Sequence, residues 1–227
     1  MPRLGSSIRI SATMLLVVFT VITTGCTETR SQPSWNFEGT TDGDLPDGWV
    51  VEATNQKGDS AQWKVIKDAT APSGEMVLAL VSPPKKVGSN FNICWTESVI
   101  FQDGELEVDF KALKGRIDQG GGLMWRVKDK DNYYIARFNP LEDNFRIYYV
   151  RNGSRRKIGD ARIALPAGKW HTMKIIQKGN KFEGYINGKK LVEGTNDLFS
   201  EAGGIGLWTK ADAVTSFDDL EVKPLQP

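Results

Sequence analysis

The first residues that could do chemistry are the acids of residues 105–110, ELEVDF. Alternate side chains of a strand point to opposite faces, so Glu105, Glu107 and Asp109 share one face and the apolar residues share the other. Glycosidic cleavage uses two carboxyl groups, about 5–5.5 Å apart for retention or about 6.5–9.5 Å for inversion. Residues i and i+2 lie about 6.6–6.8 Å apart, which permits that chemistry. The same pattern is also typical of a strand whose acids simply face solvent.

A second candidate group combines basic, amide and aromatic side chains. A guanidinium group presents a planar fork of donors that binds carboxylates or vicinal hydroxyls bidentately. A phenol or indole ring beside such a fork could stack on a sugar ring. The pattern therefore predicts a carbohydrate-binding surface made of Arg126, Arg137, Asn139, Arg146, Tyr148 and Trp208. The alternative is that these arginines only pair with neighbours such as Glu142 or Asp143.

His171 is the only histidine, which excludes any site that needs two histidines. A lone histidine can act as a general base near neutral pH. Because His171 opens an apolar segment beside Trp170, a hydrogen-bonded structural role is the alternative. The sequence contains no G-x-S-x-G motif and no cysteine nucleophile pattern, which argues against serine or cysteine hydrolase chemistry.

Three consecutive predicted strands, within residues 121–127, 133–139 and 145–151, must position the arginines. One parity of these strands is apolar and is predicted to face a core: Leu123, Trp125, Val127, Tyr134, Ala136, Phe138, Phe145, Ile147 and Tyr149. The opposite parity carries the arginines and builds a second surface. Similar short runs are separated by Asn-Gly, Asp-Gly and Pro-Pro turn signals from Trp35 onward, which predicts an all-β domain over residues 35–227.

The amino terminus predicts export and lipid anchoring. Residues 1–25 combine Arg3 and Arg9 with a mostly apolar run over residues 10–24, the layout of a bacterial secretory signal. The segment ITTGC at residues 22–26 resembles a lipobox, which predicts cleavage before Cys26 and lipidation of its thiol. Residues 26–34 are then a polar tether to the bacterial cell envelope, at the outer membrane or the periplasmic face. The alternative is an ordinary signal peptide with a chance cysteine.

The charge balance and the cysteine count of the sequence limit the kinds of partner that the protein can bind. Without residues 1–25 the chain has 27 basic and 28 acidic residues and no basic tract, which excludes a general attraction to nucleic acid. Contact with a membrane is expected through the lipid anchor only, and a monomer is expected. Cys94 is the only other cysteine, so an acylated Cys26 excludes an internal disulfide and predicts a buried thiol.

Three pairs of segments resemble strands of the concanavalin A-like lectin/glucanase superfamily, a jelly roll of two curved antiparallel sheets. They are FEG (37–39) with LPDGW (45–49), WHTMKI (170–175) with GYINGK (184–189), and GGIGLW (203–208) with FDDLEV (217–222). Within that superfamily the chain most resembles the 3-keto-disaccharide hydrolase family, also described as family 16 glycoside hydrolase-like, over nearly all of residues 35–222.

This resemblance implies cleavage of a 3-keto-glycoside. A ketone at C3 acidifies the C2 proton, so one base can drive elimination of the C1 leaving group, followed by hydration. Arg126, Arg137 or His171 could supply the base and the group that polarises the ketone, and Glu107 is a further candidate base. Residues 105–109 carry Glu, Glu and Asp where family 16 glucanases carry E-x-D-x-E. The alternatives are a non-catalytic, lectin-like surface module that holds a glycan on the concave sheet, or a structural module that binds protein.

The resemblance also implies a structural Ca²⁺ where the last strand meets the first. Glu38 and Asp218 would supply oxygen ligands, which suit this hard cation. Neither carbohydrate function requires another cofactor. Residues 129–132, DKDN, lack the glycine and distal glutamate of a calcium loop and are better interpreted as a hairpin turn.

Overall fold

The computed structural model describes residues 1, 32–85, 88 and 90–225, and every regular element in these ranges is a β-strand. The prediction of an all-β chain is therefore confirmed. The strands are β1 (Ser34–Trp35), β2 (Trp49–Thr54), β3 (Gln62–Lys67), β4 (Met76–Ser82), β5 (Phe91–Phe101), β6 (Gly104–Lys114), β7 (Gly121–Asp129), β8 (Asn132–Asn139), β9 (Asn144–Arg151), β10 (Ser154–Arg162), β11 (Trp170–Lys178), β12 (Lys181–Ile186), β13 (Lys189–Thr195), β14 (Gly203–Lys210) and β15 (Val214–Pro224).

The strands form two antiparallel sheets. Sheet A has the order β13-β12-β11-β6-β15-β4-β3, with β1 also paired to β15, and sheet B has the order β10-β9-β8-β7-β14-β5-β2. Consecutive strands β6 and β7 lie in different sheets, and β14 and β15 return from the end of the chain to the middle of each sheet. The described residues between 32 and 225 consequently form one compact unit.

The main core lies between the two sheets. Alternate residues of sheet A, such as Val108 and Met173, meet alternate residues of sheet B, such as Trp125 and Phe138. Removing a large apolar side chain from water stabilises the fold by about 1.5–3 kcal/mol, so this layer fixes which face of each strand points inward. The parity prediction for β7 to β9 is confirmed for Leu123, Trp125, Tyr134, Ala136, Phe138, Phe145, Ile147 and Tyr149.

The parity prediction is wrong at one point of β7. Arg126 has a positive φ of 47°, and the register between β7 and β8 shifts between Trp125 and Asp129. Such a β-bulge adds a residue to one strand and turns the following side chains to the other face. As a result Val127 leaves the main core and joins a second buried cluster on the outer face of sheet B, with Trp95 and Tyr133.

Cys94 on β5 is fully buried in the main core, as predicted. Burial raises the pKa of its thiol strongly, which keeps the thiol protonated and inert. Within the described part of the chain, no helix is long and apolar enough to cross a membrane. The predicted signal segment and the lipidated Cys26 lie outside the described residues, so both stay predictions.

Candidate functional site

Nine polar and aromatic side chains gather on the face of sheet B that points away from the main core. We call this set the arginine face. The β8–β9 hairpin builds most of it, because Arg137 lies opposite Arg146 and Asn139 lies opposite Asn144 in the register. The full set is Asp118, Arg137, Asn139, Glu142, Asn144, Arg146, Tyr148, Arg155 and Lys210.

Glu142, in the β8–β9 turn, holds the hairpin side chains together. Its Oε2 atom accepts hydrogen bonds from Arg137 Nη2 at 3.1 Å, Asn144 Nδ2 at 2.9 Å and Arg146 Nη1 at 2.8 Å. Burial alone would raise the pKa of this carboxyl, but the bond from Asn144 and the two guanidinium groups outweigh it and lower the pKa. Glu142 is therefore a carboxylate at neutral pH and a weak base.

Asp118 forms a second anchor of the arginine face. It is almost fully buried and accepts hydrogen bonds from Asn139 Nδ2 at 2.8 Å and from Lys210 Nζ at 3.0 Å. Sequence reasoning missed Asp118 and Lys210, because a loop before β7 and the end of β14 meet only through the order of strands in sheet B. The carboxylate of Asp118 is thus already engaged by a cation and an amide.

Arg137 has hydrogen-bonding capacity that its neighbours do not use. The side chain is buried, with the residue only 1% exposed, and its Nη2 atom bonds to Glu142. Its Nε and Nη1 atoms have no hydrogen-bond partner among the described residues, and neither does Asn144 Oδ1. Buried polar groups in proteins are nearly always hydrogen-bonded, so each exception needs an explanation. Two unpaired guanidinium donors mark a position where an acceptor would be stabilised.

Arg155 on β10 lies across the aromatic part of the face. Its guanidinium carbon is 4.3 Å from the ring centroid of Tyr148, 5.2 Å from that of Phe91 and 5.6 Å from that of Trp208. Arg155 makes no ion pair with any described residue. Burial, reinforced by the charge of Arg137, lowers its pKa, while it remains a cation under ordinary conditions.

Sequence reasoning missed Arg155 because β10 has no apolar alternation to reveal it as a strand. A usable signal was present in the Asn152-Gly153 turn. A tight turn there sets the register of the hairpin, and Arg155 then pairs with Val150, whose parity is that of Tyr148. Arg155 is the basic residue that the turn places on the same face as Arg137.

The predicted stacking surface is not open. Trp208 is fully buried, and Tyr148 is 6% exposed with Arg155 over its ring. Arg137 lies near the same phenol ring, with its guanidinium carbon 6.0 Å from the centroid. These rings therefore hold guanidinium groups by cation–π contact and do not offer a free platform to a sugar. The prediction that Trp208 contacts ligand is corrected on this ground.

Arg126 does not belong to the arginine face either. The bulge in β7 sends its side chain to the end of the sandwich, where it donates to the carbonyl oxygens of Gln102 at 2.9 Å, Phe199 at 2.6 Å and Gly179 at 2.8 Å. Its Nη2 atom also pairs with Asp103 Oδ1 at 3.0 Å. Arg126 joins three loops, and each nitrogen of its guanidinium group already donates a hydrogen bond within the protein. Its predicted binding role is therefore corrected to a structural one.

The two predicted catalytic residues lie on sheet A, apart from the arginine face. The Nε2 atom of His171 on β11 lies 3.1 Å from the carbonyl oxygen of Pro166, and its ring packs near Phe110 and Phe138. Glu107 on β6 points outward, opposite Lys174 in the register. Because β6 and β11 belong to the other sheet, the structure does not bring these two residues together with Arg137, and their catalytic role stays a prediction.

The predicted calcium ligands are occupied by hydrogen bonds. Glu38 Oε1 accepts the backbone N–H of Glu75 at 2.8 Å and of Met76 at 2.6 Å. Asp218 Oδ2 accepts the N–H of Ser73 at 3.2 Å, and Oδ1 accepts that of Asp219 at 2.8 Å. The described residues contain no group of three or more His, Cys, Asp or Glu side chains that could hold a metal ion. The calcium site stays a prediction that these contacts do not favour.

Two cavities open at opposite ends of the outer face of sheet B. One, of about 440 Å³, is lined by Glu142, Asn144 and Arg146, which all contact the Arg137 network. The other, of about 540 Å³, lies at the β7–β8 turn and is lined by Glu52, Trp95 and acidic turn residues. Both volumes fall in the range of small-molecule sites. The cavity of about 440 Å³ is lined by Glu142, which bonds to Arg137, so we place the candidate site there.

The fold and site together define a class of protein. The structure is similar to the carbohydrate-binding module CBM66 from Bacillus subtilis (TM-score 0.61, 20% identity, 78% of this chain and 95% of that chain). It is also similar to a Bacillus licheniformis β-glucanase (TM-score 0.58, 12% identity, 88% of this chain and 100% of that chain). The protein is a jelly-roll sandwich of the concanavalin A-like kind, with the fold of glycoside hydrolases and carbohydrate-binding modules.

The family follows from the sequence. Residues 36–223 match the model of the 3-keto-alpha-glucoside-1,2-lyase-like domain, so the chain belongs to that family. A levanase of Bacillus subtilis is 25% identical over 120 residues, a region that covers 52% of this chain but only 17% of the levanase. The chain therefore spans a small part of the length of this relative.

Proposed function

We propose that this protein binds carbohydrate through the arginine face, without cleaving it. The unpaired Nε and Nη1 atoms of buried Arg137 are the observation that carries the proposal. A donor buried without a partner costs about 1–3 kcal/mol, and a sugar oxygen placed there would recover much of that energy. The likeness to CBM66 and to a β-glucanase supports a carbohydrate as the ligand.

Binding without cleavage is favoured over catalysis because both carboxylates of the arginine face are already engaged in hydrogen bonds. Asp118 bonds to Lys210 and Asn139, and Glu142 accepts hydrogen bonds from two arginines. Catalysis by proton transfer works best when the pKa of the base lies near the working pH, and the pKa of Glu142 is lowered instead. His171 is the sole histidine and lies on the other sheet.

The test is a pair of neighbouring variants on β10. Arg155→Ala removes a guanidinium group from the arginine face, whereas Arg156→Ala removes an exposed one that pairs opposite Tyr149 on the other side of the same strand. Loss of one charged hydrogen bond is worth about 1.5–3 kcal/mol, or roughly ten- to a hundred-fold in affinity. On a broad glycan array followed by calorimetry, we expect that loss for Arg155→Ala only. Equal affinities of both variants and the parent would reject the site.

A second candidate function is the elimination of a 3-keto-glycoside, favoured by family membership. In that reaction a base takes the C2 proton, the electron pair forms a C1–C2 double bond, the C1 substituent leaves, and water then adds. Arg137 or Arg155 would polarise the ketone oxygen, and Glu142 would be the nearest carboxylate. Incubation with matched ordinary and 3-keto disaccharides, followed by mass spectrometry, tests this. Sugar release from the keto substrates alone would establish the enzyme, and intact substrates would leave the binding proposal.

We further propose that the protein is exported and anchored to the cell envelope through lipidated Cys26. The support is the charged and apolar layout of residues 1–25 and the ITTGC segment that ends at Cys26. Expression of the full chain in a bacterium fed a labelled fatty acid should give a labelled band that is lost in Cys26→Ser. An equally labelled Cys26→Ser variant would contradict the anchor.

A further inference from the structure

We infer that the ligand of the arginine face is an acidic sugar, whose carboxylate is received between Arg137 and Arg155. This inference rests on the proposed carbohydrate-binding function and adds the chemical class of the glycan. It follows from the balance of charge on the face, from the kind of atoms left unpaired, and from the way Arg155 is held.

Charge on the arginine face is not balanced by its own carboxylates. The set contains four cations (Arg137, Arg146, Arg155 and Lys210) and two anions (Asp118 and Glu142). Lys210 engages Asp118, while Arg137 and Arg146 share one oxygen of Glu142. Arg146 finds a further partner in Asp160, at 2.9 Å. Arg155 has no carboxylate partner among the described residues although most of its side chain is withdrawn from water.

The unpaired atoms are mainly donors. Arg137 contributes Nε and Nη1, Arg155 contributes Nη1, and the one unpaired acceptor of the set is Asn144 Oδ1. A neutral sugar brings hydroxyl groups, each of which carries a proton that needs an acceptor. A carboxylate brings acceptors only, and its two oxygens match the planar fork of a guanidinium group. The carboxylate of an acidic sugar can therefore accept hydrogen bonds from Arg137 and Arg155 without bringing a further donor that would itself need an acceptor.

The two guanidinium groups lie near the same aromatic ring, and the charge of Arg137 acts on Arg155. Both lie over the ring of Tyr148, with their central carbons 6.0 Å and 4.3 Å from its centroid for Arg137 and Arg155 respectively. Two like charges that share one ring repel each other, and an anion between them removes the repulsion. The apolar floor of Phe91, Tyr148 and Trp208 excludes water and strengthens that attraction.

Arg155 can admit the ligand without rearrangement of the sheet. It is carried by β10, the edge strand, which pairs only with β9. Arg155 is held by ring contacts and not by an ion pair among the described residues, so rotation of its side chain breaks no salt bridge there. Arg137 bonds to Glu142, which lines the cavity of about 440 Å³ together with Asn144 and Arg146, so a ligand in that cavity would lie next to the Arg137 network.

The experiment compares acidic glycans with their own carboxyl-reduced forms. The full chain, purified in mild detergent, is titrated with oligogalacturonate, oligoglucuronate and oligoalginate, with the carboxyl-reduced version of each, and with a sulfated neutral glycan. A general array of neutral glycans is measured in parallel, and all titrations contain about 150 mM salt, where exposed charges are largely screened. We expect at least one uronate to bind ten-fold or more tightly than its reduced form.

The variants separate specific recognition from general attraction of polyanions. Arg155→Ala and Arg137→Lys should lower uronate affinity to the level of the reduced glycan, and Arg156→Ala should leave it unchanged. Equal loss in Arg156→Ala, or equal affinity for the sulfated glycan, would overturn the carboxylate site. Equal affinity for acidic and reduced glycans, or binding of neutral glycans alone, would overturn the inference and leave the proposed function standing. No binding to any glycan would overturn both.

Discussion

Replacement of Asp218 by asparagine should remove part of the pH dependence of stability. Asp218 on β15 is fully buried beside the Ser73 loop. Burial raises the pKa of its carboxyl to about 6, against hydrogen bonds from the N–H groups of Asp219 and Ser73, and the charges of Asp219 and Asp109 raise it further. The folded protein therefore binds a proton that the unfolded chain, with an ordinary pKa of 3.8, has already released.

The sign and size of this pH effect are set by the difference between the pKa of Asp218 in the folded protein and in the unfolded chain. A carboxyl whose folded pKa is raised contributes stability that is present below pH 3.8 and is lost as the pH rises toward 6. The full shift corresponds to about 3 kcal/mol at 1.36 kcal/mol per pKa unit, and about 2 kcal/mol of it falls between about pH 4.5 and 7.5. Asparagine cannot ionise. The free energy of unfolding of Asp218→Asn relative to the parent should thus rise by about 2 kcal/mol across that interval, whatever constant cost the amide brings.

The assay is urea unfolding of both proteins at the two pH values, in the presence and absence of calcium. Asp212→Asn is the control whose relative stability should not change between the two pH values. The Asp212 carboxylate accepts the N–H groups of residues 116–118, and these bonds outweigh burial and lower its pKa. The stability that this carboxylate contributes is lost only as the pH falls below 3.8, so the cost of its replacement should be nearly the same at both pH values. A relative stability of Asp218→Asn that is independent of pH would refute the buried carboxyl. Stabilisation of the parent alone by calcium would show a metal-bound Asp218 and revive the calcium site.

Three shorter predictions follow from packing and burial. Arg126→Met should destabilise the fold by about 3–5 kcal/mol in urea unfolding, because three loop carbonyls lose a buried cation, and intact stability would contradict its structural role. Cys94 should react with a thiol reagent only after denaturation, since its thiol is fully buried, and rapid labelling of the native protein would contradict this. Gly184→Ala should lower stability by about 1–3 kcal/mol, because the added Cβ would lie 2.6 Å from a ring carbon of Phe145; an unchanged melting curve would show that the ring can move.

Local signals in the sequence were sufficient for the core and for the part of the arginine face that lies on the β8–β9 hairpin. Alternation in the β8–β9 hairpin sets Phe138 and Phe145 inward, and the turn between them then fixes Arg137 opposite Arg146. Both results depend only on residues that are near each other in the chain. The apolar side of each strand is buried, so a one-residue error in register would expose it.

Other features depend on relations that local patterns do not carry. Alternation gave Glu107 an outward face but could not tell which sheet contains β6, and that choice separates it from Arg137. The bulge in β7 directs Arg126 to the carbonyl groups of three distant loops, and local alternation gives no sign of those contacts. Arg155 lies on a strand held by backbone pairing at the sheet edge, where few side chains are buried and polar residues are tolerated.

The position of β10 at the edge of sheet B separates a residue of the candidate binding site, Arg155, from most of the residues that form the core. This strand borders sheet B, pairs with β9 alone, and supplies mostly polar, partly exposed side chains. Its register shift between Lys157 and Gly159, together with its charged residues, discourages another chain from adding to the open edge. Within residues 154–162, Ile158 and Ala161 pack against the main core, whereas Arg155 lies on the outer face of sheet B. A substitution at Arg155 therefore changes the arginine face and leaves the layer between the sheets intact.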